Sequence, residues 1–492
     1  MAYLRPGVYI EENLNALPPS VGPNSDTYAA FIGANDRGPT TPTLVTSWND
    51  YTSKFGSWNT VRNNNLPLAV KLFFDNGGSA CYVLRVVAGS PVNATRTFND
   101  GAGTPANIVT LTAANPGVWG NSIYVTISNS AVSGRKDVSI AYPDVATVVE
   151  SFTDLTFTDT TDARYGVNFI NARSKYVSAV SVATTAEPAN VTNQALATGT
   201  NGSAPTDTNL AAATSSLDTV LNSLVLNVPG LTAASNVNTV LSYAESRDDV
   251  FVVIDPIDDT VANQMSRAAQ YTSTSLGAVY YPLVTIADPT VSTSGAIRVA
   301  NPGGAIAGLI ATTDSSRGVF KAPAGLSARL SDIVSVGALT NAELDTMNSA
   351  SAPVNPIKYV SGSGFVVMGS RTLKPGYADR YIPVRRTLIY LRKALTDLTQ
   401  FAIFEPNDAV LWRSLNATCS AFLTDFWSQG GLRGDTPSDA FFVKCDDELN
   451  TLAVVDEGKV IIEVGVALQR PAEFVIIRIG QFDGGATVTV TA

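Results

Sequence analysis

The best candidate for chemistry in this chain is Asp248-Asp249-Val250-Phe251-Val252-Val253-Ile254-Asp255-Pro256-Ile257-Asp258-Asp259, an apolar run that ends in carboxylates. Such an end could bind a metal or protonate a glycosidic oxygen, the chemistry of a carboxylate-based glycosidase with Asp255 at its centre. The same residues read more economically as structure. Asp255-Pro256 is turn chemistry after a strand, and Asp258, Asp259 and Thr260 suit the N-terminus of a following helix. The chain has no histidine, which removes the commonest general base, the commonest zinc ligand and the usual partner of a serine or cysteine nucleophile. A GxxxxGKS/T phosphate loop, a GxSxG elbow, an EF-hand and paired CxxC motifs are all missing. Cys81, Cys419 and Cys445 lie in apolar patterns and read as buried free thiols. The expectation is a non-enzyme with no cofactor and no metal.

The elements around these residues point to several domains. A chain of 492 residues exceeds one ordinary core. With 45% hydrophobic and 15% charged residues, much apolar surface must be buried within domains or between subunits. The net charge of −10 argues against nucleic acid as a partner, and no apolar run is long enough to insert in a membrane. Strand and helix patterns alternate from Tyr28 to Val87, with a strand at Tyr28–Gly33, helices near Trp48–Phe55 and Leu66–Asn76, and a strand at Cys81–Val87. Alternation resumes at Val250–Ile254 and continues through a helix near Val261–Thr272, a strand at Ala278–Tyr281 and a helix start at Gly303-Gly304.

Between these halves, Ala, Thr, Ser, Asn and Val dominate and cations become scarce. Short β-prone runs at Ile108–Leu111, Ile123–Ile127 and Tyr176–Val182 make this an inserted β-rich domain, with Thr184–Ser216 as loop or weakly ordered chain. Two helices follow later. One spans Val384–Gln400, with Val384, Leu388, Leu391, Leu395 and Leu398 as its apolar stripe and Arg385, Arg386, Arg392 and Lys393 on its flank and solvated side. The other spans Asp408–Gln429 with Leu411, Leu415, Cys419, Phe422 and Phe426 in line.

Pro6-Gly7-Val8-Tyr9-Ile10-Glu11-Glu12, Phe73-Phe74-Asp75-Asn76-Gly77-Gly78, Asn115-Pro116-Gly117-Val118-Trp119-Gly120-Asn121, Arg317-Gly318-Val319-Phe320-Lys321-Ala322-Pro323, Tyr381-Ile382-Pro383-Val384-Arg385-Arg386 and Phe404-Glu405-Pro406-Asn407 stand in this order along the chain. Each is weak alone. Together they resemble the contractile phage tail sheath family, which includes the sheaths of related contractile injection systems. The fold expected is a mixed-sheet α/β (α+β) core with flanking helices, interrupted by a β-rich insertion and ending in extended arms. Expected limits are an N-terminal arm at 1–25, core at 26–90, insertion at 91–245, core again at 246–350, a C-terminal inner sheath domain at 351–483 and an arm strand at 484–492.

The resemblance implies a structural polymer rather than an enzyme. Subunits of this family stack as rings around an inner tube and contract to drive it through a target envelope. Implied partners are further copies of the chain, the inner tube protein, and baseplate and tail terminator proteins. The implied location is a virion tail assembled in the host bacterial cytoplasm. Arms that link subunits are implied too, and the residues supply β-prone candidates: Val8, Tyr9, Ile10 and Glu11, followed by a segment containing Pro18, Pro19 and Pro23, and Ala486, Thr487, Val488, Thr489 and Val490 after Gly484-Gly485. The strands at Val460–Leu468 and Glu473–Ile479 would accept them through Val460, Ile462, Val464, Phe474, Ile476 and Arg478. Arg385, Arg386, Arg392, Lys393, Arg413 and Arg433 are the candidates to face an acidic tube. A static surface or fibre protein is the alternative, and it should carry export signals or repeats that this sequence lacks.

Overall fold

The chain enters its core on β1 (Thr27–Gly33), whose residues Ala29–Ile32 are buried on both faces, as a central parallel strand requires. The structure is a computed structural model and describes residues 27–58, 61–257, 259–376 and 380–473. Edge strand β2 (Thr43–Val45) leads to α1 (Trp48–Phe55), where Ser47 accepts the Asp50 amide as N-cap. Helix α2 (Asn65–Asp75) and strand β3 (Cys81–Arg85) follow, close to the expected limits.

The chain then leaves the core. Strands β4 (Thr95–Asn99), β5 (Asn107–Ala113), β6 (Tyr124–Asn129), β7 (Lys136–Ala141) and β8 (Val148–Leu155), helix α3 (Gly166–Arg173), and strands β9 (Val177–Ser181) and β10 (Val191–Ala195) build the insertion. Its two antiparallel sheets run β4-β5-β9 and β10-β6-β7-β8. They enclose a separate apolar interior that includes Leu111, Ile123, Val125, Ile127 and Phe152.

Return to the core comes earlier than the sequence led us to expect. Helix α4 (Asp207–Ala212), strand β11 (Ser223–Asn227) and helix α5 (Ala234–Arg247) bury Leu210, Leu217, Leu224, Val237 and Leu241 in the main core. The boundary at residue 245 is therefore corrected, and Thr184–Ser216 holds β10 and α4 rather than only loop. These elements share the small-residue composition of the insertion, so composition alone cannot mark where it ends. Next come β12 (Val250–Ile254), α6 (Val261–Ala268), β13 (Gly277–Tyr281), β14 (Val284–Ala287), β15 (Ile297–Ala300), α7 (Gly303–Arg317), β16 (Ser335–Val336), α8 (Asn341–Ser349), β17 (Val354–Val360) and β18 (Gly364–Val367).

The core sheet has eight strands in the order β18-β17-β13-β12-β11-β1-β3-β2. The six inner strands are parallel, with antiparallel β18 and β2 at the edges. Because β17 and β18 complete this sheet, and Val354, Ile357, Val367 and Leu373 lie in its core, residue 351 is not the start of the C-terminal unit. Helices α2 and α7 pack tightly across one face. A Cβ on Gly304 would clash with the Ala69 carbonyl, and one on Gly308 would lie 2.5 Å from the Phe73 carbonyl oxygen.

The C-terminal unit is built from α9 (Ile382–Thr399), α10 (Ala409–Ser428), α11 (Pro437–Ala440), β19 (Phe441–Lys444), α12 (Leu452–Asp456) and β20 (Glu463–Val466). Its own core gathers Val319, Tyr390, Leu391, Leu423, Phe426 and Leu432. Asp408 caps α10 by accepting the Val410 and Leu411 amides, while Asn407 accepts the Trp412 indole N–H.

Candidate functional site

Asp255 sits at the end of β12, where its carboxylate accepts the Gly303 amide at 2.7 Å and the Asn227 amide group at 3.1 Å. The side chain ties the sheet to the first turn of α7. Burial pushes its pKa up to about 6, with the hydrogen bonds from Asn227 and from backbone amides opposing that rise. The neighbouring void is about 10 Å³, too small for a substrate and marginal even for water. Asp259 accepts the Thr260 amide and Asn263 side chain, and Thr260 caps α6 through the Asn263 amide. Asp258 lies outside the described residues. Asp255 and Asp259 are thus placed in turn and cap contacts.

The expectation that the α9 cations line a solvated flank needs correction. Arg386 is 3% exposed and forms a bidentate ion pair with Asp314 of α7, one bond of which is 2.7 Å. The reason is that α9 is buried on two sides: Ile382 and Ile389 enter the main core, while Tyr390 and Leu391 enter the C-terminal one. Arg385 and Arg392 both hold Asp248, at 3.3 and 2.5 Å, and Asp248 ends α5 in the left-handed region at φ 64°. Lys393 pairs with Asp397 one turn on. Arg413 and Arg433 are exposed, and neither forms an ion pair with any other described residue.

The expected accepting strand Val460–Leu468 is shorter in the structure. Only Glu463–Val466 forms β20, which pairs antiparallel with β19 so that Val464 lies opposite Val443. Val460 and Ile462 precede it and pack beside Leu411, Leu415 and Cys445. Phe474, Ile476 and Arg478, together with Val8, Tyr9, Ile10, Glu11, Ala486, Thr487, Val488, Thr489 and Val490, lie outside the described residues. The sequence reading missed what precedes them. Glu473 accepts the Arg371 Nε–H at 2.8 Å and the Tyr381 hydroxyl at 3.2 Å, and Arg371 also donates to the Asn348 carbonyl at 2.6 Å. The chain is clamped to the core at this point.

Two further arginines join the insertion to the core. Arg85, 2% exposed, donates to the carbonyls of Asn35, Asp36 and Gly38 in the core and of Pro116 in the insertion. Burial pulls its pKa down to about 10, against the opposing charge of Asp36. Arg37 lies 4.8 to 5.1 Å from the ring centres of Tyr176, Tyr142 and Trp119, all in the insertion, and donates to the Ser53 carbonyl in the core. Sequence offered one signal for this joint, the aromatic residues around Trp119 in an otherwise small-residue stretch. All three cysteines are buried, and burial raises their thiol pKa values, so each is held as an inert thiol.

The fold defined by these elements is that of contractile sheath subunits. It is similar over 98% of this chain and 98% of the other to the PVC sheath of an extracellular contractile injection system in its contracted state, with a TM-score of 0.60 and 23% identity. It is similar over 98% and 100% to the anti-feeding prophage helical sheath in its contracted state, with a TM-score of 0.59 and 23% identity. The sheath tail protein of Listeria innocua superposes with a TM-score of 0.64 at 16% identity, covering 90% of this chain and 95% of that one.

Residues 378–482 match the family model of the phage tail sheath C-terminal domain. A 177-residue stretch is 28% identical to the tail sheath protein of Vibrio phage KVP40, covering 35% of this chain and about a quarter of that relative's length. The family resemblance read from the residues is borne out by these matches. Among the described residues, no helix is long and apolar enough to cross a membrane.

Proposed function

We propose that this chain is the sheath subunit of a contractile phage tail or a related injection machine. Copies polymerise as stacked rings around an inner tube, and a change in their packing drives the tube through a target envelope. The observation that carries this reading is likeness in fold, over nearly the whole chain, to sheaths solved in the contracted state, joined by the sheath C-terminal domain match at 378–482. Energy in such a machine is the difference between two arrangements of one polymer, so no catalytic residue is needed. The partners are other copies of this chain, the tube, a baseplate such as the one named for the anti-feeding prophage, and a terminator. Assembly takes place in the host cytoplasm.

Purified protein at high concentration should form long hollow helical tubes in negative-stain microscopy. Only monomers or small closed oligomers, across salt and concentration, would refute the reading.

Arm exchange is part of the same proposal. Deleting residues 1–17 or 486–492 should leave a soluble core with unchanged secondary structure and abolish or sharply weaken tube formation. The clamp at Arg371, Tyr381 and Glu473 supports it, because tension in an arm needs a fixed root. Arg433 is the better candidate to face the tube, since Arg386 is buried and Arg385, Arg392 and Lys393 are engaged within the subunit. Exposed pairs of about 0.2 to 1 kcal/mol each would release readily on contraction.

A further inference from the structure

Two features of the chain have complementary chemistry. The first is the tip between α9 and α10. Phe404 is fully exposed there, beside exposed Phe401, Ile403 and Val410. Its backbone is held at φ +67°, in the left-handed region that a bulky residue avoids, by a turn in which the Ile403 amide donates to Gln400 and the Glu405 amide to Ala402. An aromatic ring held in a strained backbone at full exposure is an anchor waiting for a surface. Arg413, one turn beyond Val410, adds a cation that forms no ion pair with any other described residue.

The second feature is a cleft of about 540 Å³ beside α2. Leu68, Leu72, Ile286 and Ile333 line it, and Asp288 and Asp332 stand on its rim. Neither rim carboxylate forms an ion pair with another described residue. Lys71 also lines the cleft but is neutralised by Asp75 at 2.7 Å, so the unpaired charge at the cleft is that of Asp288 and Asp332. The tip is apolar at its end and cationic at its side.

We propose that these surfaces belong to one contact between two copies of the chain: Phe404 of one subunit seats in the cleft beside α2 of the next, with Arg413 facing Asp288 and Asp332. The inference rests on the polymer reading and deepens it by naming a contact. The tip is in the C-terminal unit and the cleft in the core, so the contact joins different patches of identical chains. Such a heterologous contact does not use itself up in a dimer; repeated, it closes a ring or grows a helical polymer. An inner tube is a poorer occupant for the tip, because the sheath must leave the tube on contraction and a deep aromatic anchor dissociates slowly.

The test uses the full chain. Glu405→Cys, which keeps the Phe404 ring, and Ala287→Cys place thiols on the exposed tip and on the exposed cleft residue, while the native cysteines are buried. After assembly and mild oxidation, the double variant should run as a ladder of covalent multimers on a denaturing gel. A mixture of the two single variants should give dimers containing one of each. Tubes that yield no cross-link above the single-variant level would overturn the contact and leave the polymer reading standing. Failure of the unmodified protein to form any tube would sink both.

Phe404→Gly adds an independent readout. Glycine suits the left-handed backbone, so the melting temperature should hold or rise. The concentration needed for assembly should rise about tenfold. Unchanged assembly, or a fall in melting temperature that accounts for the loss, would assign Phe404 to the subunit's own fold and refute the contact.

Discussion

The titration of Asp255 gives the sharpest check on its structural role. In the unfolded chain this carboxyl has its ordinary pKa of 3.8, and in the folded core burial raises it to about 6. Below 3.8 both states are protonated and the shift is without effect. Between the two values the folded state keeps a proton that the unfolded state has released, so stability falls as pH rises. Above 6 both states are ionised and the whole cost is present, ~3 kcal/mol for a shift of roughly two units. Asp255→Asn keeps an acceptor for the Gly303 amide and does not titrate. The variant carries a constant offset, because its new N–H₂ group must be accommodated beside Asn227, but that offset is independent of pH. From pH 4.5 to 7.5 the wild type should therefore lose about 2 kcal/mol relative to the variant. Urea denaturation of both proteins, at concentrations below assembly, measures this difference at each pH. A difference that stays flat within about 0.5 kcal/mol across that range would show that the carboxyl is not held in a desolvated site, and the argument would fail.

Other perturbations follow from the packing. Arg386→Met leaves Asp314 buried and uncompensated and should cost about 3–5 kcal/mol in urea denaturation, most of it recovered in Arg386→Met with Asp314→Leu; a loss below about 1 kcal/mol would place the pair at the surface. Gly308→Ala should lower stability by about 1–2 kcal/mol despite the better helix propensity of alanine, because its Cβ meets the Phe73 carbonyl; calorimetric melting decides the sign. Arg37→Ala should weaken the joint of core and insertion by about 2 kcal/mol and speed proteolysis in the crossings near residues 86–93 and 200–206, leaving core helicity unchanged by circular dichroism; unchanged cleavage would mean that the stacked guanidinium does not hold the joint.

Much of the core was legible because its strands are apolar runs bounded by turns. β1, β12 and β13 are buried on both faces, and runs such as Phe251-Val252-Val253-Ile254 have no other good use. Helices α9 and α10 were readable from their apolar stripes. What composition could not mark was ownership. Leu224-Val225-Leu226 belongs to the core sheet because of a partner strand almost two hundred residues away in sequence, at Tyr28–Ala30. Arg386 could not be told from Arg385 or Arg392 by periodicity, because two separate cores approach α9 from different sides and the stripe model assumes one. The arginines at the joint were invisible for a similar reason. Arg37 owes its place to three aromatic rings distant in sequence, and the clamp on Glu473 to residues about a hundred positions earlier.

The position of β1 between β3 and β11 also sets an order on folding during synthesis. β1 can pair with β3 as soon as Arg85 has emerged, but its other edge stays open until Ser223 is made. An open parallel edge is slow to close and prone to wrong pairing while it waits. The insertion shortens that wait in space rather than in time. Its entry and exit are bridged at Ala88 with Gly202 and Ser203, at Val92 with Thr200 and at Thr95 with Ala197. Once its own interior has formed, the free loop between β3 and β11 shrinks from roughly 140 residues to roughly 25, lowering the closure cost by about 1.5 kcal/mol. A nascent chain whose insertion folds first thus presents β11 to a waiting β1, and swapping one folded insertion for another with the same end-to-end spacing would leave that step untouched.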